Sequence, residues 1–272
     1  MLNVQIECPF GHEPYLCAMS TLQTWAQRLD QAAMQATAIP QLSLQQAFDL
    51  DEAYAIQALN IEQRKQRGQA LVGLKMGFTS QAKMKQMGVS DLIWGRLTQD
   101  MVLGDAEVLS LSKFIHPRVE IEVAFRISER IDRELSAEEC KGKVDAVCTA
   151  LEIIDSRYEN FKFSLEDVVA DNCSSAAFVL GPWKPVPDTL NGLNMGLYNR
   201  ETLMEMGSSD GIMGDPWASL AAATRLAQRY GEILEPGMVI LAGASTAAHF
   251  LEPAMQIKGA VDGLGACGFQ VA

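Results

Sequence analysis

Arg118-Val119-Glu120-Ile121-Glu122-Val123-Ala124-Phe125 alternates side chains in a way that restricts what this chain can be. Successive residues of a strand point to opposite faces, so Val119, Ile121 and Val123 share one face while Glu120 and Glu122 share the other. The apolar face belongs in a core, and the other then carries two carboxylates side by side. A second run, Ala150-Leu151-Glu152-Ile153-Ile154, sets a third acid among apolar neighbours. A carboxylate withdrawn from water is costly unless a partner compensates it, and nearby like charges add to the cost. The pattern therefore asks for a cation. Three carboxylates suit a hard divalent ion such as Mg²⁺ or Mn²⁺. The competing reading is a solvated strand face on which one or more of these acids pairs with a Lys or Arg.

Outward from this stretch, the chain from Gly68 onward is a series of short apolar runs broken by Gly, Pro and Asp. They include Ala70 to Gly73, Val119 to Ile127, Ala176 to Leu180, Met238 to Leu241 and Ile257 to Val261. Strands at that density with few long helices between them predict an α+β fold with a mixed β core of rolled or barrel form. Two helices interrupt it, one after the capping box Ser136-Ala137-Glu138-Glu139 and one from about Pro216 to Gly231. Before residue 70 the texture is helical. Leu22, Trp25 and Leu29 have helical spacing, Ser43 to Gln46 has the form of a capping box, and Asp51 is placed to cap a helix closed by Gly68. Cys8-Pro9-Phe10-Gly11-His12-Glu13-Pro14 reads as irregular turn. The expected division is an irregular leader over 1–18, a helical cap over 19–69 and a β-rich catalytic core over 70–272.

With 272 residues, 48% of them hydrophobic, the chain can bury a full core. A net charge of −12 with no offsetting basic cluster disfavours nucleic acid and anionic membrane as partners. The six cysteines form no C-x-x-C pair, which argues for reduced thiols in the cytoplasm rather than a disulfide frame or zinc site. No signal sequence and no apolar run long enough to span a membrane is evident.

Four further features could carry chemistry. Lys75 stands in the apolar, glycine-flanked run Val72 to Gly77, where lysine is rarely buried without a partner; it is either an active-site cation or a side chain snorkelling from a strand end. Arg157, in Asp155-Ser156-Arg157, can neutralise an anionic site or grip a substrate carboxylate, or it can be a structural partner of Asp155 or Glu159. Ala170-Asp171-Asn172-Cys173-Ser174-Ser175 is a substrate-lining turn or an ordinary Asx turn, the latter favoured. His116 and His249 read as structural, and Cys173 has no nearby histidine to make it a nucleophile. No glycine-rich segment has the spacing of a phosphate-binding loop.

Taken together, Lys75 to Ser80, Gly95 to Thr98, His116 to Glu122, Glu152 to Arg157, Ala170 to Ser175 and Gly243 to Thr246 follow the order found in the hydratase/decarboxylase branch of the fumarylacetoacetate hydrolase superfamily, which this chain resembles from about residue 45 to its end. The resemblance implies that superfamily's mixed β-roll, Glu120, Glu122 and Glu152 as ligands of Mg²⁺ or Mn²⁺, and Lys75 and Arg157 as catalytic residues. It further implies that Ser174, Ser175 and Thr246 contact a 2-oxo acid substrate, that the chain is a homo-oligomer, and that it associates with a cognate hydratase.

Within that branch the hydratases carry an acid where this chain has Ile93, and Glu152 is followed by Ile153-Ile154-Asp155-Ser156-Arg157, which looks like the decarboxylase version. Loss of that acid removes a general acid/base for adding water. The implied reaction is decarboxylation of 4-oxalocrotonate to 2-hydroxypenta-2,4-dienoate in the meta-cleavage breakdown of aromatic compounds. The alternatives are hydration of that dienoate to 4-hydroxy-2-oxopentanoate, or a non-catalytic subunit that activates a partner. For decarboxylation, the departing carboxylate is expected to face an apolar wall, because desolvation favours its loss as neutral CO₂.

Overall fold

The structure, a computed structural model, describes residues 13–79, 84 and 91–272, without the side chains of 13–20. Ser80, at the end of the first motif, and the part of the expected leader up to residue 12 lie outside the described residues.

Strand β5 (Arg118–Ile127) pairs antiparallel with β6 (Val144–Ile154) along nearly its whole length. They form the middle of a mixed sheet whose order is β2-β1-β10-β5-β6-β7-β3, with β1 (Leu71–Gly77), β2 (Ile93–Thr98), β3 (Val102–Leu103), β7 (Ser175–Leu180) and β10 (Val239–Leu241). A short strand, β11 (His249–Phe250), adds to the free side of β5 at Val119 and Arg118. A second sheet, β4-β13-β12-β8-β9, is built from β4 (Val108–Leu109), β8 (Asn194–Asn199), β9 (Thr202–Ser208), β12 (Gln256–Val261) and β13 (Gly265–Val271). The two sheets curl against each other as a mixed β-roll, so the fold is α+β.

Ile121 and Leu151 point into the space between the sheets, where a Cβ added to Gly259 of β12 would fall 2.8 Å from Leu151 Cδ2 and 3.3 Å from Ile121 Cδ1. Each is fully buried and contributes about 1.5–3 kcal/mol. The alternation then sends Glu120, Glu122 and Glu152 to the opposite side of the first sheet, away from the inter-sheet core. That single parity choice creates the site.

Helix α1 (Glu13–Gln35) starts inside the stretch expected to be irregular, so residues 13–18 are helical and the leader expectation is corrected there. Helix α2 (Leu50–Gln66) begins two residues earlier than expected: Asp49, not Asp51, is its N-cap, in a reciprocal capping box with Glu52. Arg67 ties the two helices through paired 2.7 Å hydrogen bonds to Asp30. Gln57 of α2 donates to the Trp94 and Val169 carbonyls, joining the helical layer to β2 and to α4 (Leu165–Ala170). The capping box expected at Ser43 starts no helix; Ser43 donates through its amide (3.0 Å) and hydroxyl (2.6 Å) to Asp167 instead. The box at Ser136 does cap α3 (Ala137–Lys141), and α5 (Pro216–Arg229) starts with Asp215 as N-cap and Pro216 in its first turn. Among the described residues, no helix is long and apolar enough to cross a membrane. Cys140, Cys148, Cys173 and Cys267 are free and buried.

Candidate metal centre

In the β5–β6 register Glu120 lies directly opposite Glu152, and Glu122 is diagonal to it, opposite Ala150. Directly opposed side chains of an antiparallel pair stand about 4.5–5.5 Å apart at Cβ, and both glutamates point the same way. Each of the three offers an oxygen within 4.8 Å of the others'. Glu122 and Glu152 are wholly inaccessible and Glu120 nearly so. Glu122 Oε2 accepts the Gly243 amide at 2.7 Å. Only glycine serves at that position, since its φ is +104° and an added Cβ would come within 2.3 Å of Thr79. Among the described residues, Glu122 Oε1 and Glu152 Oε1 are buried without a hydrogen-bond donor.

Lys75 reaches the group past the end of β10, its Nζ 2.9 Å from Glu152 Oε2 and donating at 3.2 Å to the Cys173 carbonyl. Burial works to discharge this lysine, but the carboxylate field, led by Glu152, outweighs it and holds the ammonium charged, its pKa above the ordinary value. Burial raises the Glu122 pKa well above the carboxylate range and the charge of Glu152 adds to the rise; Glu152 is raised by burial too, against the pull of Lys75. Lys75 meets only Glu152 Oε2 directly, and the orphaned oxygens of Glu122 and Glu152 mark where donors are missing among the described residues. A hard, oxygen-seeking divalent cation meets both needs, so the residues present fit Mg²⁺ or Mn²⁺.

Beside the triad opens a cavity of about 450 Å³ lined by Lys75, Glu120, Ser174, Arg118, Ile93 and Phe161, among others. Of the residues expected to contact substrate, Ser174 is on its wall with a hydroxyl that has no hydrogen-bond partner among the described residues. Ser175, the next residue, faces the other way, fully buried with its hydroxyl 3.9 Å from Met101 Sδ. Thr246 is not on the wall; the neighbouring Ala247 and Ala248 are. Cys173 lines the cavity, and burial pushes its thiol up to about 12, which rules it out as a nucleophile at neutral pH.

Arg157 is corrected from catalytic to structural. Its guanidinium is paired with Asp171 and donates to the carbonyls of Asp155, Asp171 and Ser175, and it is not on the wall of the cavity beside the triad. This clamp holds the turn at Asn172, Cys173 and Ser174, all with positive φ, that presents the Cys173 carbonyl to Lys75. Arg157→Met is expected to cost about 3–5 kcal/mol of stability by stranding Asp171. Metal affinity should stay unchanged, because none of the hydrogen bonds of Arg157 reaches the three glutamates; denaturant unfolding alongside metal titration checks the pair of outcomes. Among the cavity residues that the sequence reading did not single out are Arg118, Phe161 and Phe163.

No family model matches the chain. It is, however, 50% identical over 246 residues to the 4-oxalocrotonate decarboxylase of a Pseudomonas species, covering 90% of this chain and 95% of that protein. To the 2-keto-4-pentenoate hydratase of Paraburkholderia xenovorans it is 34% identical over 221 residues, 80% and 82% of the two. Its structure superposes on 4-oxalocrotonate decarboxylase from Pseudomonas putida G7, complexed with magnesium and adipate, with a TM-score of 0.89 and 32% identity over 93% of this chain and 98% of that one. Fumarylpyruvate hydrolase from Pseudomonas aeruginosa shares the fold alone, at a TM-score of 0.59 and 16% identity over 74% and 89%. The fold is that of the fumarylacetoacetate hydrolase superfamily. Within it, the chain belongs to the family of 4-oxalocrotonate decarboxylases and 2-keto-4-pentenoate hydratases.

Proposed function

We propose that this enzyme is a divalent-metal-dependent decarboxylase that converts 4-oxalocrotonate (2-oxohex-3-enedioate) to 2-hydroxypenta-2,4-dienoate and CO₂ in meta-cleavage catabolism. The observation that carries the reading is a buried Glu120–Glu122–Glu152 triad with Lys75 at its side, opening on a cavity whose wall at Ile93 is apolar. The similarity to named decarboxylases, at higher identity than to the hydratase, supports it.

The departing carboxylate is vinylogous to that of a β-keto acid. As the C5–C6 bond breaks, its electron pair moves through the C3=C4 double bond onto the 2-oxo oxygen, and CO₂ leaves. A divalent cation held by Glu120, Glu122 and Glu152 would supply Lewis-acid stabilisation of that developing charge. Lys75 adds a fixed ammonium, kept protonated by the surrounding carboxylates, that can donate a hydrogen bond to the dienolate and pass it the proton of the 2-hydroxy product. Ile93 and Phe161 contribute apolar wall to the same cavity. A carboxylate entering the cavity gives up bulk water that neutral CO₂ does not need.

Hydration of the dienoate is the second reading, favoured by the hydratase among the relatives, but Ile93 offers no acid or base to activate water. NMR identification of products from both acids with magnesium or manganese separates the two. Release of CO₂ from the diacid supports the first, whereas 4-hydroxy-2-oxopentanoate from the monoacid, with the diacid untouched, overturns it.

Metal binding should depend on pH through Glu122 and Glu152. With pKa values raised by burial, they hold protons that the metal must displace, so affinity climbs as pH rises, about tenfold per unit for each proton released, and levels once both are ionised. The sign reverses for metal-free stability. Carboxyl groups with folded pKa values above the unfolded ones stabilise the metal-free fold as pH falls from the raised value toward the ordinary one, and that contribution disappears above it. Melting curves with and without magnesium at mildly acidic and mildly alkaline pH test both signs.

Self-association and pairing with a hydratase belong to the same proposal, as does a cytoplasmic location suited to buried free thiols. Strand β9 ends its sheet with Leu203 and Met206 exposed, an edge that favours association. Gel filtration of the chain alone and with a hydratase of this family tests the assembly.

A further inference from the structure

Arg118 opens β5 two residues before Glu120 and, by strand alternation, on the same face as Glu120 and Glu122. It lines the same cavity as Lys75 and Glu120, but at a distance along the strand: a strand advances about 3.3 Å per residue, which sets the Arg118 and Glu120 backbones about 7 Å apart. Two aromatic rings hold it. The guanidinium carbon lies 4.2 Å from the Phe161 ring centre and 4.1 Å from that of Phe250, the residue opposite it on β11. Sandwiching fixes the plane of the guanidinium and covers both faces, so its remaining donors are on the edge. Among the described residues its buried Nε meets no acceptor.

The cavity thus has a metal-binding triad with a lysine at one end and an oriented, under-satisfied guanidinium toward the other. A six-carbon diacid spans a comparable distance. We infer that Arg118 receives the second carboxylate of the substrate and makes this cavity select a dicarboxylate over a monocarboxylic 2-oxo acid. The inference rests on the decarboxylase reading for its substrate but not for its test.

The chemistry sets a distinctive kinetic signature. A guanidinium binds a carboxylate and has no comparable hold on neutral CO₂, so the contact is made in the ground state and given up as the C5–C6 bond breaks. Such a contact lowers KM and governs which acid enters, without accelerating the chemical step. Arg118 is accordingly a specificity-determining residue.

The experiment compares wild type, Arg118→Met and Arg118→Lys, each loaded with magnesium, in calorimetric titrations with adipate and with 2-oxopentanoate. Methionine keeps an apolar body between Phe161 and Phe250, and lysine keeps the charge without the fork. For Arg118→Met, adipate should bind about 10–100-fold more weakly, as expected for loss of charge-assisted hydrogen bonds, while 2-oxopentanoate binds as before. Arg118→Lys should fall between. With 4-oxalocrotonate, KM should rise and kcat should not fall. Equal weakening of both ligands, or no weakening of adipate, overturns the inference. If Arg118→Met fails to fold, Arg118→Lys carries the same comparison, and a loss shared equally by the two acids overturns it there. A wild type that releases no CO₂ defeats the decarboxylase reading instead, and the adipate-to-oxopentanoate comparison still decides the role of Arg118.

Discussion

Glu122→Gln is expected to lower magnesium or manganese affinity by more than about 100-fold, beyond the loss typical of an outer-shell partner, and to raise the melting temperature of the metal-free protein. Both follow from one charge. Glu122 is wholly buried, sits in the field of Glu152 and Glu120, and has its pKa pushed well up, first by desolvation. Without metal, ionised Glu122 is a liability. A carboxamide keeps the shape, still accepts the Gly243 amide, and turns a donor toward Glu152, whose Oε1 has none. The gain should be about 0.5–2 kcal/mol, the range usual when a functional compromise is removed. CO₂ release should fall with the metal. Isothermal titration with Mg²⁺ and Mn²⁺, paired with melting curves of the metal-free variants, reads both effects. Wild-type metal affinity in Glu122→Gln, or a lower melting temperature, would mean that the triad is an ordinary hydrogen-bonded cluster.

What the sequence made legible follows from how local each signal is. Alternation in β5 required no knowledge of the rest of the fold, and it correctly set Glu120 and Glu122 on a common face opposite Ile121. The Ser136 box caps a helix because its partner, Glu139, is three residues away. The Ser43 box has the same local form, but Asp167, far along the chain, takes its amide and hydroxyl. Arg157 failed in the same manner: the residue type suits a buried cation, and nothing nearby in sequence says that Asp171 will consume it. Ser174 and Ser175 part for a reason that strand parity does not reach, because Ser174 closes a turn with positive φ and β7 begins only at Ser175. Parity does reach back from Glu120 to Arg118, so that residue was within reach of the reasoning that found the acids. Phe161 was not. It stands in a turn with Asn160 and Phe161 at positive φ, and its place against Arg118 is set by tertiary packing.

Lys75→Ala should separate the two jobs that the buried charges share. Turnover is expected to fall by about 10²–10⁴-fold, the usual contribution of a positioned proton donor, while metal affinity is retained or strengthened. The second half is the informative one. Lys75 holds Glu152 Oε2 at 2.9 Å and is itself a positive charge beside the candidate cation site, so it competes with a dication for the same oxygen. Its removal leaves Glu152 free to bind metal. The metal-free protein bears the opposite consequence, because removing one partner of a buried ion pair costs about 3–5 kcal/mol, less whatever protonation of Glu152 recovers. The stabilisation gained on adding magnesium should therefore be larger in Lys75→Ala than in wild type, and nearly absent in Glu122→Gln. This crossed pattern distinguishes a ligand from a neighbouring acid/base in a way that loss of activity alone does not. If Lys75→Ala and Glu122→Gln lose magnesium to the same extent, the division of labour between the lysine and the glutamates is wrong, and the ammonium is holding the triad together rather than serving the substrate.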